Sequence, residues 1–100
     1  MLISTPVYAT PFVVSAPYAA DSPQPTEFVI SVSGAQTPIV VPATVTTQGV
    51  ILKWDVSGMS GSKTITVKAR NLWGESAASV PFSFTAEKPA APTGIGLSVQ

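Results

Sequence analysis

The chain has no cysteine and no histidine. The first absence excludes disulfides and thiolate metal sites and leaves the redox compartment open. The two together remove the usual nucleophile, general-base and zinc-ligand candidates, so no metal and no cofactor are expected. What remains is five carboxylates at Asp21, Glu27, Asp55, Glu75 and Glu87, with no two close in sequence. No glycine-rich loop opens a helix that could hold a phosphate. An enzyme is therefore not expected. The single asparagine, Asn71, is followed by Leu72 and Trp73, so no N-glycosylation acceptor is present.

Charge is scarce as well. Charged residues make up 10% of the 100 residues and cancel to a net charge of zero, against about 25% in an average soluble domain. Without a basic patch to neutralise phosphates, no nucleic-acid partner is expected. No run is long and apolar enough to span a bilayer. The start, MLISTPVYATPFVV, has no basic region, and Pro6 and Pro11 break its apolar stretch, so no secretory signal is expected. So little charge beside 45% hydrophobic residues points to a surface covered in an assembly, because charge is what normally keeps a domain apart from its neighbours. Surfaces rich in Ser and Thr can also stay soluble, which is the plainer reading.

What is present is β-forming sequence punctuated by turns, enough for one domain that buries roughly two-thirds of its unfolded surface. The ten prolines leave no room for a sustained 3.6-residue period, so no helix is predicted. Residues 1–11 are extended, as an N-terminal arm or edge strand, because residues before proline are pushed to the β or polyproline region. Residues 12–16 (FVVSA) form a short strand bounded by Pro11 and Pro17, and YAADSPQPT, residues 18–26, a proline-marked loop. Thr26 to Ser33 alternates, with Phe28, Ile30 and Val32 on one face, and a turn follows at Gly34 to Gln36. Pro38 and Pro42 confine the next β-branched piece to a sheet edge.

Val50 to Val56 reads as one strand with Val50, Leu52, Trp54 and Val56 inward, which makes Trp54 a core residue. Lys63 to Ser76 is the central strand and its exit. Ile65, Val67 and Ala69 form the apolar face, and Thr64, Thr66, Lys68 and Arg70 a solvated one. Val80 to Thr85 supplies a last strand with Val80, Phe82 and Phe84 on one side. Six to eight short strands spaced in this way predict an antiparallel β-sandwich.

The spacing V-x-A-x-N-x-x-G-x-S at Val67, Ala69, Asn71, Gly74 and Ser76 resembles the penultimate strand and following turn of fibronectin type III domains. The phenylalanines of PFSFT fall where that family's last strand would lie. The resemblance is good from Val50 to Thr85, weaker over Thr26 to Gly34 and poor before that. Lys63 stands where the family usually has a tyrosine, and FVVSA lacks the tryptophan of its second strand, a space that Trp54 fills from another strand. The resemblance implies an immunoglobulin-like or fibronectin type III-like sandwich over residues 12–86. It also implies an adhesive, spacer or recognition role without catalysis. Taken as a free-standing domain without an export signal, the chain is also similar in character to the small immunoglobulin-like and fibronectin-like proteins of tailed bacteriophage particles. That likeness implies a virion location, after assembly in the bacterial cytoplasm.

The candidate contact residues follow from these readings. In the turn LWGES, Leu72 and Trp73 lie between two strands, where a large aromatic either folds back over the end of the core or is presented to a partner. Turn geometry alone explains Gly74, which favours the packed position. Tyr18 and Tyr8, among prolines, come next. Residues 87–100 read as a proline linker and a C-terminal strand or arm, with Thr93, Ile95, Leu97 and Val99 alternating with Gly94, Gly96 and Ser98. PAAPTGIGL also resembles the linker and first strand of a further fibronectin type III domain. Ala91 to Val99 fully extended reaches about 30 Å, and an apolar-faced strand of this kind is expected to add to an adjacent subunit; fraying is the alternative. Two functions result. One is a structural or decorating component of an assembly such as a virion, bound to other virion proteins or to copies of itself. The other is a recognition module for surface glycan or cell-surface protein, located at a cell surface or secreted by a non-classical route.

Overall fold

The computed structural model describes residues 10–99, so residues 1–9 of the arm expected over 1–11, Tyr8 among them, lie outside the described residues. Among the described residues the chain is all-β, without helix, and every strand pairing is antiparallel. The strands are β1 (Phe12–Val14), β2 (Glu27–Val32), β3 (Ile39–Pro42), β4 (Thr44–Thr46), β5 (Gly49–Ile51), β6 (Lys53–Asp55), β7 (Gly61–Asn71), β8 (Gly74–Glu75) and β9 (Phe82–Ala86). The longest, β7, is central: it pairs with β2 on one side and with β8 and β9 on the other. β3 extends this sheet beyond β2, with Pro42 at its last residue, as a donor-less residue requires of an edge. β1 pairs with β6, and β4 with β5.

The core joins the two halves. Phe28 and Ile30 from β2 and Ile65 from β7 cluster with Leu52, Trp54 and Val56 from the β5–β6 segment. Trp54 retains 8% of its exposure, which places it in the core as its alternating position predicts. Val13, Tyr18, Val67, Ala69 and Phe84 pack around this cluster while half-buried. On the opposite face of β7 hydroxyls pair across the ladder, Thr64 with Ser83 at 2.9 Å and Ser62 with Thr85 at 3.3 Å.

Several strands differ from the expected bounds, with β1 ending at Val14 and not at residue 16, and β7 beginning at Gly61 and not at Lys63. Val50 to Val56 is divided at Leu52 into β5 and β6, and the last strand begins at Phe82, leaving Val80 exposed. At Leu52 and before Phe82 a serine takes the place of a ladder carbonyl, and the second break also follows Pro81, which has no N–H to give a ladder. At Leu52, the N–H of Ser15 donates to the Leu52 carbonyl at 3.1 Å, while the Leu52 N–H donates to Ser15 Oγ at 2.9 Å. The same exchange joins Ser76 to Ala69, at 2.8 and 2.9 Å, and Ser79 to Val67, again at 2.8 and 2.9 Å. In each case the serine hydroxyl in turn donates a hydrogen bond to the carbonyl of the next residue, Ala16, Ala77 or Val80. The hydroxyl satisfies an amide that would otherwise lack a partner, so the chain can turn out of strand geometry without orphaning its neighbour.

Candidate interaction surfaces

The turn between β7 and β8 shows why the residues of its motif are needed. Asn71 Oδ1 accepts the Trp73 N–H at 2.8 Å, and Asn71 Nδ2 donates to the Gln24 carbonyl at 3.2 Å, so one side chain shapes the turn and ties it to the preceding loop. Gly74 sits at φ +130, a region that side chains rarely adopt. Arg70, at the end of β7, donates from Nε to Glu27 at 2.7 Å and from Nη1 to Glu75 at 3.2 Å. The Glu27 hydrogen bond, chiefly, pushes the guanidinium above its ordinary value. Arg70 is thus committed to a pair of carboxylates within the chain.

The structure reverses the packed reading of Trp73. Its ring is 94% exposed and Leu72 beside it 97%, because a two-residue turn held by Asn71 projects both side chains past the ends of the strands. Trp73 and Tyr18 are brought together at this end. With Pro23 and Pro25 they line a hollow of about 310 Å³ that Arg70 and Glu75 also border. Tyr18 leans inward as well, with its ring centroid 6.2 Å from that of Phe28.

A second and larger feature was not read from the sequence. An apolar groove of about 660 Å³ opens between β1 and the run from Ser76 to Phe84. Phe28, Ile65 and Val67 lie at its floor, and no charged side chain lines it. β1 forms one wall, and on its far edge no strand pairs with it among the described residues. Val80, projected by the Ser79 clamp, stands exposed on the other wall. No local sequence pattern marked it, because Ser76 and Ser79, which tie its wall to β7, are ordinary polar positions until the fold brings them to Ala69 and Val67.

Of the remaining candidates, Ile95, Leu97 and Val99 are 82%, 95% and 90% exposed. Residues 87–99 carry no strand and are exposed throughout. The tail is not brought near the turn that bears Trp73 by any strand pairing. Among the described residues no three metal-ligating side chains are grouped, and no helix is long and apolar enough to cross a membrane. The chain matches no family model, no curated protein and no solved structure.

Proposed function

We propose that the chain is a non-catalytic β-sandwich module, similar to a fibronectin type III domain over residues 12–86, that serves as a structural or decorating component of a protein assembly, specifically a bacteriophage virion. The sandwich reading is supported by the core, which draws buried side chains from the β2–β7 sheet and from the β6 segment that pairs with β1. The observation that carries the assembly reading is the number of large apolar side chains left in solvent: Leu72, Trp73, Val80, Ile95, Leu97 and Val99. A surface so poor in charge offers little to keep these groups apart from another protein. The tail reading, residues 87–100 as an arm, is supported by a radius of gyration of 18.9 Å, where a compact chain of this length has about 13 Å. Light scattering of the protein, alone and with its neighbouring gene products, tests the proposal. A mass above the monomer in either case is the expected result, and a monomer in both refutes it.

One observation favours a second reading. Trp73 and Tyr18 share a hollow with polar groups at its rim, an arrangement on which the face of a sugar could stack. On that reading the chain is a recognition module for surface glycan. A glycan array probed with wild type and Trp73→Ala separates the two, since sugar binding that depends on Trp73 demotes the assembly reading.

A further inference from the structure

We propose that the groove between β1 and residues 76–84 is the acceptor for the Thr93–Val99 tail of a second copy, which enters as an added strand along the open edge of β1. The proposal rests on the assembly reading and names both surfaces of the contact.

The acceptor has a backbone side and a side-chain side. In the β1–β6 pair, the Pro11 carbonyl accepts from Val56 at 3.1 Å and the Ser15 N–H donates to Leu52 at 3.1 Å. Alternation along an antiparallel strand then turns the N–H and C=O groups of Phe12 and Val14 to the opposite edge. An edge of this kind is a template for pairing with another chain. Beside it the groove is apolar along its length, with the floor supplied by the core and with no charge to repel an apolar strand.

The donor matches this acceptor. From Pro89 to Gln100 the chain carries no charged residue, and Ile95, Leu97 and Val99 recur at the two-residue period that puts all three on one face. All three are exposed in their own copy. Gly94 and Gly96 fall on the other face and have no side chain to obstruct a neighbour. Gly94 stands at φ +65, and glycine alone moves between that state and the extended one at little steric cost. Seven extended residues span about 24 Å, more than the three residues of β1 require.

Geometry favours a second copy over the chain's own tail. Glu87 and Lys88 line a hollow with Pro11, so the tail leaves at the end of the groove where β1 begins. To enter its own groove it would have to reverse between Lys88 and Thr93, across Pro89 and Pro92, and then run parallel to β1. Proline-rich segments are stiff, and every strand pairing among the described residues is antiparallel. A tail from another copy can run antiparallel to β1. A contact of tail to groove joins two different surfaces, so it propagates into a ring or an open chain of copies.

Two single variants and their mixture test this. Leu97→Asp disables the tail and keeps the groove, while Val80→Asp blocks the groove mouth and keeps the tail; both positions are exposed, so folding is retained, as unchanged urea midpoints will check. In light scattering the wild type grows with concentration, and each variant alone associates about tenfold more weakly or worse. Mixed in equal amounts, the two variants form a dimer and stop, because one competent tail meets one competent groove. Hydrogen exchange at the Phe12 and Val14 amides slows in the wild-type assembly and not in Leu97→Asp. Association of both variants at wild-type strength overturns strand exchange and leaves the assembly reading standing. A mixture without dimer also overturns it, as does a monomeric wild type whose β1 edge is protected by its own residues 1–9. A wild type that is monomeric and captures no neighbouring gene product overturns both readings.

Discussion

Replacing each of the two tryptophans by alanine provides a direct test of which faces are inward. Trp54 is 8% exposed in a cluster with Phe28, Ile30, Leu52, Val56 and Ile65. Its truncation removes about 200 Å² of buried surface, worth about 5 kcal/mol at about 25 cal/mol/Å², and relaxation around the void brings the cost to about 3–5 kcal/mol. That is a large share of the ~5–15 kcal/mol that holds a domain together. Its partner across the ladder is Val13 of β1, so the loss also loosens that two-stranded sheet. Trp73, at 94% exposure, contributes to the turn through its backbone N–H on Asn71, which alanine keeps. Its truncation costs about 0.5 kcal/mol or less. In urea, with a slope of about 1–2 kcal/mol/M, Trp54→Ala lowers the midpoint by about 2 M or fails to fold, and Trp73→Ala leaves it nearly in place. Emission adds a second readout, since Trp73→Ala leaves the buried ring as the only indole. Equal midpoints, or the reverse order, would refute the assignment of faces.

Gly74→Val lowers the urea midpoint more than Ser76→Val does. The glycine's φ of +130 opposes a β-branched residue at about 2–3 kcal/mol, whereas Ser76→Val leaves the Ala69 amide without its acceptor at about 1 kcal/mol. Ser15→Ala costs about 1–2 kcal/mol, because the Leu52 amide it serves is part-buried. Arg70→Gln causes a modest loss of thermal stability that shrinks in 1 M salt, as it must for pairs that water still reaches. Asp55 is held below its ordinary value of 3.8 by the Ser57 hydroxyl and then by the Ser57 N–H, the latter at 2.8 Å. A depressed carboxyl stabilises the fold above its unfolded value and loses that contribution as pH falls through the folded one. The difference in Tm between wild type and Asp55→Ala is therefore constant at neutral pH and narrows as pH falls below 3.8; a difference that does not narrow in strong acid would refute the assignment.

The strands and the core were legible in the sequence because alternation and burial are one signal. Phe28, Ile30, Leu52, Trp54, Val56 and Ile65 are among the residues that period-two patterning turns inward and form the buried cluster, while Val32, Val50, Val67 and Ala69 of the same faces are half-buried. The central place of β7 was read from the strand-forming runs before and after it in the chain, and of these β9 does pair with it, whereas the neighbour on its other edge is β2 and not the Val50–Val56 run. What was not legible depends on contacts between residues far apart in the chain. Asn71 reaches Gln24 and Arg70 reaches Glu27, and no local pattern encodes either partner. The packed reading of Trp73 failed for the same reason: alternation has no meaning inside a two-residue turn, so only the packing of the chain ends could settle its exposure.

The serines carry this argument furthest. In sequence Ser15, Ser76 and Ser79 read as polar positions in strands or loops, and nothing distinguishes them from Ser62 or Ser83, which lie in ladders. In the fold each accepts the amide of a residue on a neighbouring segment and returns its own N–H to that residue's carbonyl. A clamp of this kind keeps the partner strand satisfied while releasing the serine's own segment from the sheet. Ser15 thereby ends β1 after three residues, and Ser76 with Ser79 holds the run before β9 beside β7 without making it a strand. These are also the segments that wall the apolar groove. The groove is therefore a product of the clamps as well as of the core. It follows that replacing Ser76 and Ser79 together by alanine should weaken self-association through the groove more than either replacement alone, in proportion to the loss of order in residues 76–81. Hydrogen exchange at the Val67 and Ala69 amides measures that order directly, and unchanged exchange in the double variant would show that the clamps do not hold the wall.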